Sequence, residues 1–160
     1  MSHSAPGTPP LAAPTAPGTL PPPYGPPIPL ASAKLVMEAA EAEAARHHWP
    51  LVIAIVDSTG HLVLLHRLDQ AQYGSITIAV AKAETALNFR RPTRVFEEAL
   101  GAGGVGLRVL SVPNIAALEG GLPLSVRGEI IGAIGVSGMQ SVQDAQVAQA
   151  GADALARNAG

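Results

Sequence analysis

The chain contains no cysteine, which excludes disulfides, thiolate nucleophiles, iron–sulfur ligation, covalent c-type heme attachment and cysteine-based zinc sites. Clustered positive charge is equally scarce. The formal net charge is −2, and phosphate neutralisation needs several grouped cations, so nucleic acid is excluded as the main partner. The nearest approach to a basic cluster, Arg90, Arg91 and Arg94, has the character of a solvated, capping or interface group. No stretch approaches the roughly 18 consecutive apolar residues of a spanning helix, so a membrane is not expected as a partner. The chain also lacks the positive start and continuous apolar stretch of a secretory signal. A cytoplasmic location is therefore the expectation, although the lack of cysteine does not by itself fix the compartment.

At 160 residues the chain has the size of one domain, but its composition is uneven. Eleven of its 15 prolines precede Leu30, and residues 1–29 contain no Lys, Arg, Asp or Glu. Besides Met1, the only sizeable apolar residues there are Leu11, Leu20, Tyr24 and Ile28. So little apolar surface cannot offset the entropy of ordering. Residues 1–29 are thus expected to form a flexible or polyproline II arm that docks on a neighbour through Tyr24 and Ile28. Residues 30–160 form the domain.

Within that domain, Ala33, Met37, Ala40 and Ala44 recur at helical spacing from Leu30 to His48, and Trp49-Pro50 ends the run. Leu51–Asp57 and His61–Arg67 are apolar, strand-like runs joined by a Ser58-Thr59-Gly60 turn, which predicts a hairpin. One hairpin face is expected to meet helices and the other a second layer or subunit. Tyr73–Phe89 returns to helical period, with Ile76, Val80, Ala83 and Leu87 as its core stripe. A second stripe carries Ser75, Ile78, Lys82, Thr85 and Phe89. A short helix begins near Pro92-Thr93, and the glycines from Gly101 to Gly106 lack the spacing of a phosphate loop. Ile115–Leu118, Leu122–Val126 and Ile130–Val136, separated by tight turns, predict three further strands, and an Ala-rich helix follows from Ser141. The order implies an α/β protein of the α+β type, with an antiparallel sheet of about five strands and helices packed on it.

The stretches Val56-Asp57-Ser58-Thr59-Gly60-His61-Leu62-Val63, Arg67-Leu68-Asp69-Gln70-Ala71, Ala81-Lys82-Ala83 with Thr85-Ala86, Glu119-Gly120-Gly121-Leu122-Pro123 and Gly132-Ala133-Ile134-Gly135-Val136-Ser137-Gly138 resemble the HbpS/GlcG-like family. That group also includes the C-terminal domain of PduO. The resemblance runs from about Tyr24 to Leu155. It implies a profilin-like fold with a five-stranded antiparallel sheet, assembly into homo-oligomers and, in some members, binding of heme or iron.

Heme needs an apolar slot, an axial donor and cations or hydrogen-bond donors for its propionates. His66, on a strand, is the candidate axial ligand among His47, His48, His61, His66, Tyr73 and Met139, with Arg67, Lys82 and Arg127 as candidate propionate partners. A small-molecule site lined by Arg67, Asp69, Lys82, Thr85, Glu119, Gly120 and Gly121 is the wider expectation. In it Lys82 and Arg67 anchor an anion and the two glycines admit close backbone approach. Asp57, Asp69 and Glu119 are a candidate carboxylate cluster for a hard cation. Two other classes stay open. One is a cofactor-independent enzyme performing proton-transfer, lyase, isomerase or hydrolase chemistry on a carboxylate-bearing metabolite. The other is a non-catalytic assembly protein. Gly135-Val136-Ser137-Gly138-Met139 lacks the final glycine of a nucleophile elbow, which excludes a serine hydrolase triad.

Overall fold

The computed structural model describes residues 20–159. Helix α1 (Leu30–His47) leads into strands β1 (Val52–Asp57) and β2 (Leu62–Arg67), followed by α2 (Ser75–Phe89) and α3 (Arg94–Ala102). A 3-10 helix (Gly104–Ser111), strands β3 (Gly121–Val126) and β4 (Glu129–Ser137), and helix α4 (Ser141–Asn158) complete the order. The strands form one antiparallel sheet in the order β2-β1-β4-β3. β1 and β4 are therefore central, and their near-continuous apolar sequences suit strands covered on both faces.

Alternation along the strands sorts the core into two layers. Ile53, Ile55, Ile134 and Val136 face α1 and α4. Val52, Ala54, Val56 and Ala133 face α2. Helices thus take both faces of the central strands. The buried stripe of α2 differs from expectation. Ser75, Ala79, Lys82, Ala83, Thr85, Ala86 and Leu87 are buried, whereas Ile76 and Val80 are only half-buried. Small residues win that face because α2 lies very close to the sheet: a Cβ on Gly135 would sit 2.0 Å from the Ala79 carbonyl oxygen.

The sheet has four strands, not five. Ile115–Leu118 is no strand, and its backbone groups find partners elsewhere. The Ala116 N–H donates to Thr85 Oγ1 (2.9 Å), and the Glu119 N–H donates to Glu97 Oε2 (2.6 Å). Pro113 can donate no backbone bond and Asn114 sits at φ 60°, so the approach to this segment is a turn rather than an extended ladder. Leu107–Val112, a brief apolar segment before Pro113, is largely taken up by the 3-10 helix.

Tyr24 and Ile28 do dock, but on this chain's own sheet. The Gly25 and Ile28 N–H groups donate to the Ile130 and Ile131 carbonyls, and Ile130 N–H donates to the Pro23 carbonyl, each at 2.8 Å. Ile28 is buried in the core beneath α1, a contribution on the order of 2 kcal/mol. The expected arm before Leu20 lies outside the described residues. Among the described residues no helix is long and apolar enough to cross a membrane.

Candidate functional site

The residues expected to share one site fall into three places. Lys82, Gly120 and Gly121 meet at the start of β3. Lys82 is 2% exposed, and its Nζ donates to the Val136 carbonyl (2.8 Å) and to Asp144 Oδ2 (2.9 Å). Lys82 belongs to the helix on one face of the sheet and Asp144 to a helix on the other, so the ion pair ties the two helical layers together. It passes where the chain has no side chains in the way. A Cβ on Gly120 would lie 3.0 Å from Lys82 Nζ, and one on Gly121 would lie 2.4 Å from the Lys82 carbonyl oxygen. Gly120 also holds φ at 124°, a conformation that L side chains rarely adopt.

Asp144 was not among the expected site residues, because an acid in the first turn of a helix is already accounted for by the helix dipole. Its Oδ1 accepts the Met139 N–H (2.9 Å). Burial pushes its carboxyl up, against the pull of the Lys82 ammonium and of the Met139 and Gly138 N–H groups. Every buried side-chain polar atom among the described residues has a hydrogen-bond partner. The charge of Lys82 is thus matched inside the protein.

Above this pair lies a small cleft of about 230 Å³, lined by Arg94, Glu119, Gly120, Gly121, Leu122 and Gln149 among others, but not by Lys82. Thr93 Oγ1 accepts the Gly121 N–H (2.9 Å), and Glu97 joins the Glu119 N–H to the Ser141 hydroxyl (2.9 Å). Partial burial raises the Glu119 carboxyl, opposed by Arg94. Thr85 is buried, with its hydroxyl occupied by Ala116.

Arg67 and Asp69 are remote from that cleft by position, lining a separate cavity with Tyr73 between β2 and α2. There the Arg67 guanidinium lies 5.3 Å from the Tyr73 ring centre. Asp57, at the β1–β2 turn, and Asp69 and Glu119 do not converge: no group of three or more metal-ligating side chains occurs among the described residues.

His66 is the strand neighbour of Arg67 and projects to the opposite face, toward α1. Its Nδ1 lies 2.6 Å from Glu41 Oε1. With Lys34, Met37, Glu38, Glu41 and Leu64 it lines a groove of about 460 Å³ between α1 and β2. A second, wider groove shares Glu41 and continues past His48, Trp49 and Leu68 to Asp69. Lys34 and Glu41 were not foreseen as site residues, since in sequence they are simply the polar side of an amphipathic helix. Among the described residues, the other histidines are engaged elsewhere or stand at a cap. His47 stacks on Trp49 and contacts Glu43, the backbone of His48 caps α1, and His61 Nδ1 contacts the Thr59 hydroxyl in the hairpin turn.

The family described as Haem degrading protein HbpS-like matches residues 28–153. GlcG of Escherichia coli K12 is 41% identical over 105 residues, 66% of this chain and 77% of GlcG. The crystal structure of a double mutant of Streptomyces reticuli HbpS superposes with a TM-score of 0.73 at 28% identity, covering 92% of this chain and 97% of that one. The crystal structure of a PduOC:heme complex gives a TM-score of 0.72 at 28% identity, covering 80% of this chain and 94% of that one.

Proposed function

The chain belongs to the HbpS-like family, and on that footing we propose that it binds heme in the groove between α1 and β2, with His66 as the axial ligand. The observation that carries this reading is the His66–Glu41 pair. A metal-binding imidazole commonly gives its second ring N–H to a carboxylate, which sets the tautomer and makes the other nitrogen a better donor. With Nδ1 held by Glu41 at 2.6 Å, Nε2 is the nitrogen left to meet iron. Met37 and Leu64 supply apolar wall, and the groove volume of about 460 Å³ falls in the usual range for small-molecule sites.

The residues present fit the rest of the group as well. Lys34 stands on the same groove and is the cation available to a propionate. Arg67 is on the other face of β2, Lys82 is already matched by Asp144 and Arg127 stands at the β3–β4 turn, so none of the three lines this groove. Bound heme supplies an iron centre whose reactivity its axial ligand tunes. This chain's own residues would hold it: Glu41 would fix the His66 imidazole in one tautomer, Met37 and Leu64 would supply apolar contact and Lys34 would neutralise a propionate. The relative solved with heme supports the choice of ligand.

Titration of the purified chain with hemin is expected to give a saturable Soret shift, and His66→Ala is expected to weaken binding at least tenfold while His61→Ala leaves it unchanged. Equal affinity in the wild type and His66→Ala sinks the assignment.

A further inference from the structure

α3 and the 3-10 helix stand apart from the core with much apolar surface uncovered. Val105 is 75% and Leu110 73% exposed. Between the two helices runs a groove of about 390 Å³ with Phe89, Val95, Phe96, Val105, Val109 and Val112 in its walls. The rings of Phe89 and Phe96 meet edge to face, 5.2 Å apart, and Arg91 and Arg108 stand at the rim. Apolar surface of this kind marks a binding site more often than an accident of folding.

We propose that this groove is the docking site of the chain's own N-terminal segment, residues 1–19. The path of the described chain leads there. Tyr24 donates its hydroxyl proton to the Leu87 carbonyl (2.9 Å), and Arg90 Nη1 reaches the Pro22 carbonyl (3.5 Å). The described residues therefore begin beside the C-terminal end of α2, and the residues on either side of Arg90, Phe89 and Arg91, already belong to the groove.

The chemistry of the segment matches. Residues 1–19 carry no Lys, Arg, Asp or Glu and have prolines at 6, 9, 10, 14 and 17 around Leu11. Proline-rich chain favours polyproline II, whose carbonyls need outside donors, and such segments are recognised by aromatic-lined grooves. Here the aromatic wall is Phe89 and Phe96 and the donors are Arg91 and Arg108. Reach is not limiting, since the nine residues from Leu11 to Thr19 span roughly 28 Å in that conformation. A tether this short holds the segment near the groove at an effective concentration on the order of millimolar. That favours the same chain over a second copy.

The chain has no cysteine, so introduced pairs report cleanly. Full-length Leu11→Cys/Val105→Cys is compared with Leu11→Cys/Val142→Cys under glutathione redox buffer. Val142 is 66% exposed on α4 and outside the groove. A disulfide within one chain, forming at least tenfold faster in the first pair, is expected. Equal rates in the two pairs, or linkage of the first pair chiefly between two chains, overturns the proposal; the latter would mean that a second copy fills the groove.

Discussion

Asp57 closes the β1–β2 turn through one carboxylate oxygen. Oδ1 accepts the Thr59 N–H (2.8 Å), the Thr59 hydroxyl (2.6 Å) and the His61 N–H (3.2 Å). Burial alone would raise its pKa, but the hydrogen bonds from Thr59 and His61 outweigh burial and hold the carboxyl below its ordinary value. A carboxyl lowered in the folded state stabilises the fold above the unfolded carboxylate range, and that stability disappears as pH falls through the folded value. Asp57→Ala is therefore expected to lose about 1–2 kcal/mol at neutral pH. In urea titrations the gap to the wild type should narrow as the pH falls into the acid range; a gap independent of pH would contradict this account.

Between elements, the Lys82–Asp144 pair joins α2 on one face of the sheet to α4 on the other. A buried ion pair with one member removed leaves a charge without a partner in a dry interior. The cost is on the order of 3–5 kcal/mol, whereas an apolar pair of similar volume costs little. Lys82→Met and Asp144→Leu are each expected to destabilise the chain by about that amount, and the double variant by much less than their sum. Denaturant unfolding of the four proteins reads the coupling directly. Additive losses would show that the two groups act independently and that their contact does not hold the layers together.

For the whole molecule, the edge strand β2 is the exposed side of the sheet. Leu62 is 53% exposed there, and Val63, Leu64 and Leu65 are half-buried. A half-covered apolar edge invites another strand or subunit. It also borders the His66 groove, so a second copy on this edge would close the open side of the proposed heme site. Sedimentation is expected to give a mass above the 16.2 kDa of one chain, and Leu62→Lys is expected to lower it. A wild-type chain that stays monomeric at micromolar concentration would remove the edge as an interface.

Local pattern was sufficient for the helices at Leu30, Tyr73 and Ser141, for the hairpin from Leu51 to Arg67 and for the family, because periodicity, turn residues and motif order are properties of neighbouring residues. It also marked Lys82, Gly120 and Gly121, whose residue types are unusual where they stand. It misread Ile115–Leu118, an apolar run whose backbone bonds are taken by Thr85 of α2 and, just beyond it, by Glu97 of α3 at Glu119. Alternation along β2 sets Arg67 and His66 on opposite faces and the second stripe of α2 turns Lys82 inward, but neither pattern says which group each side chain meets. The partner of Lys82 lies 62 residues away on another layer, and Glu41 lies 25 residues before His66. Only tertiary packing decides such pairs, since a charge's role depends on which distant group shares its desolvated space.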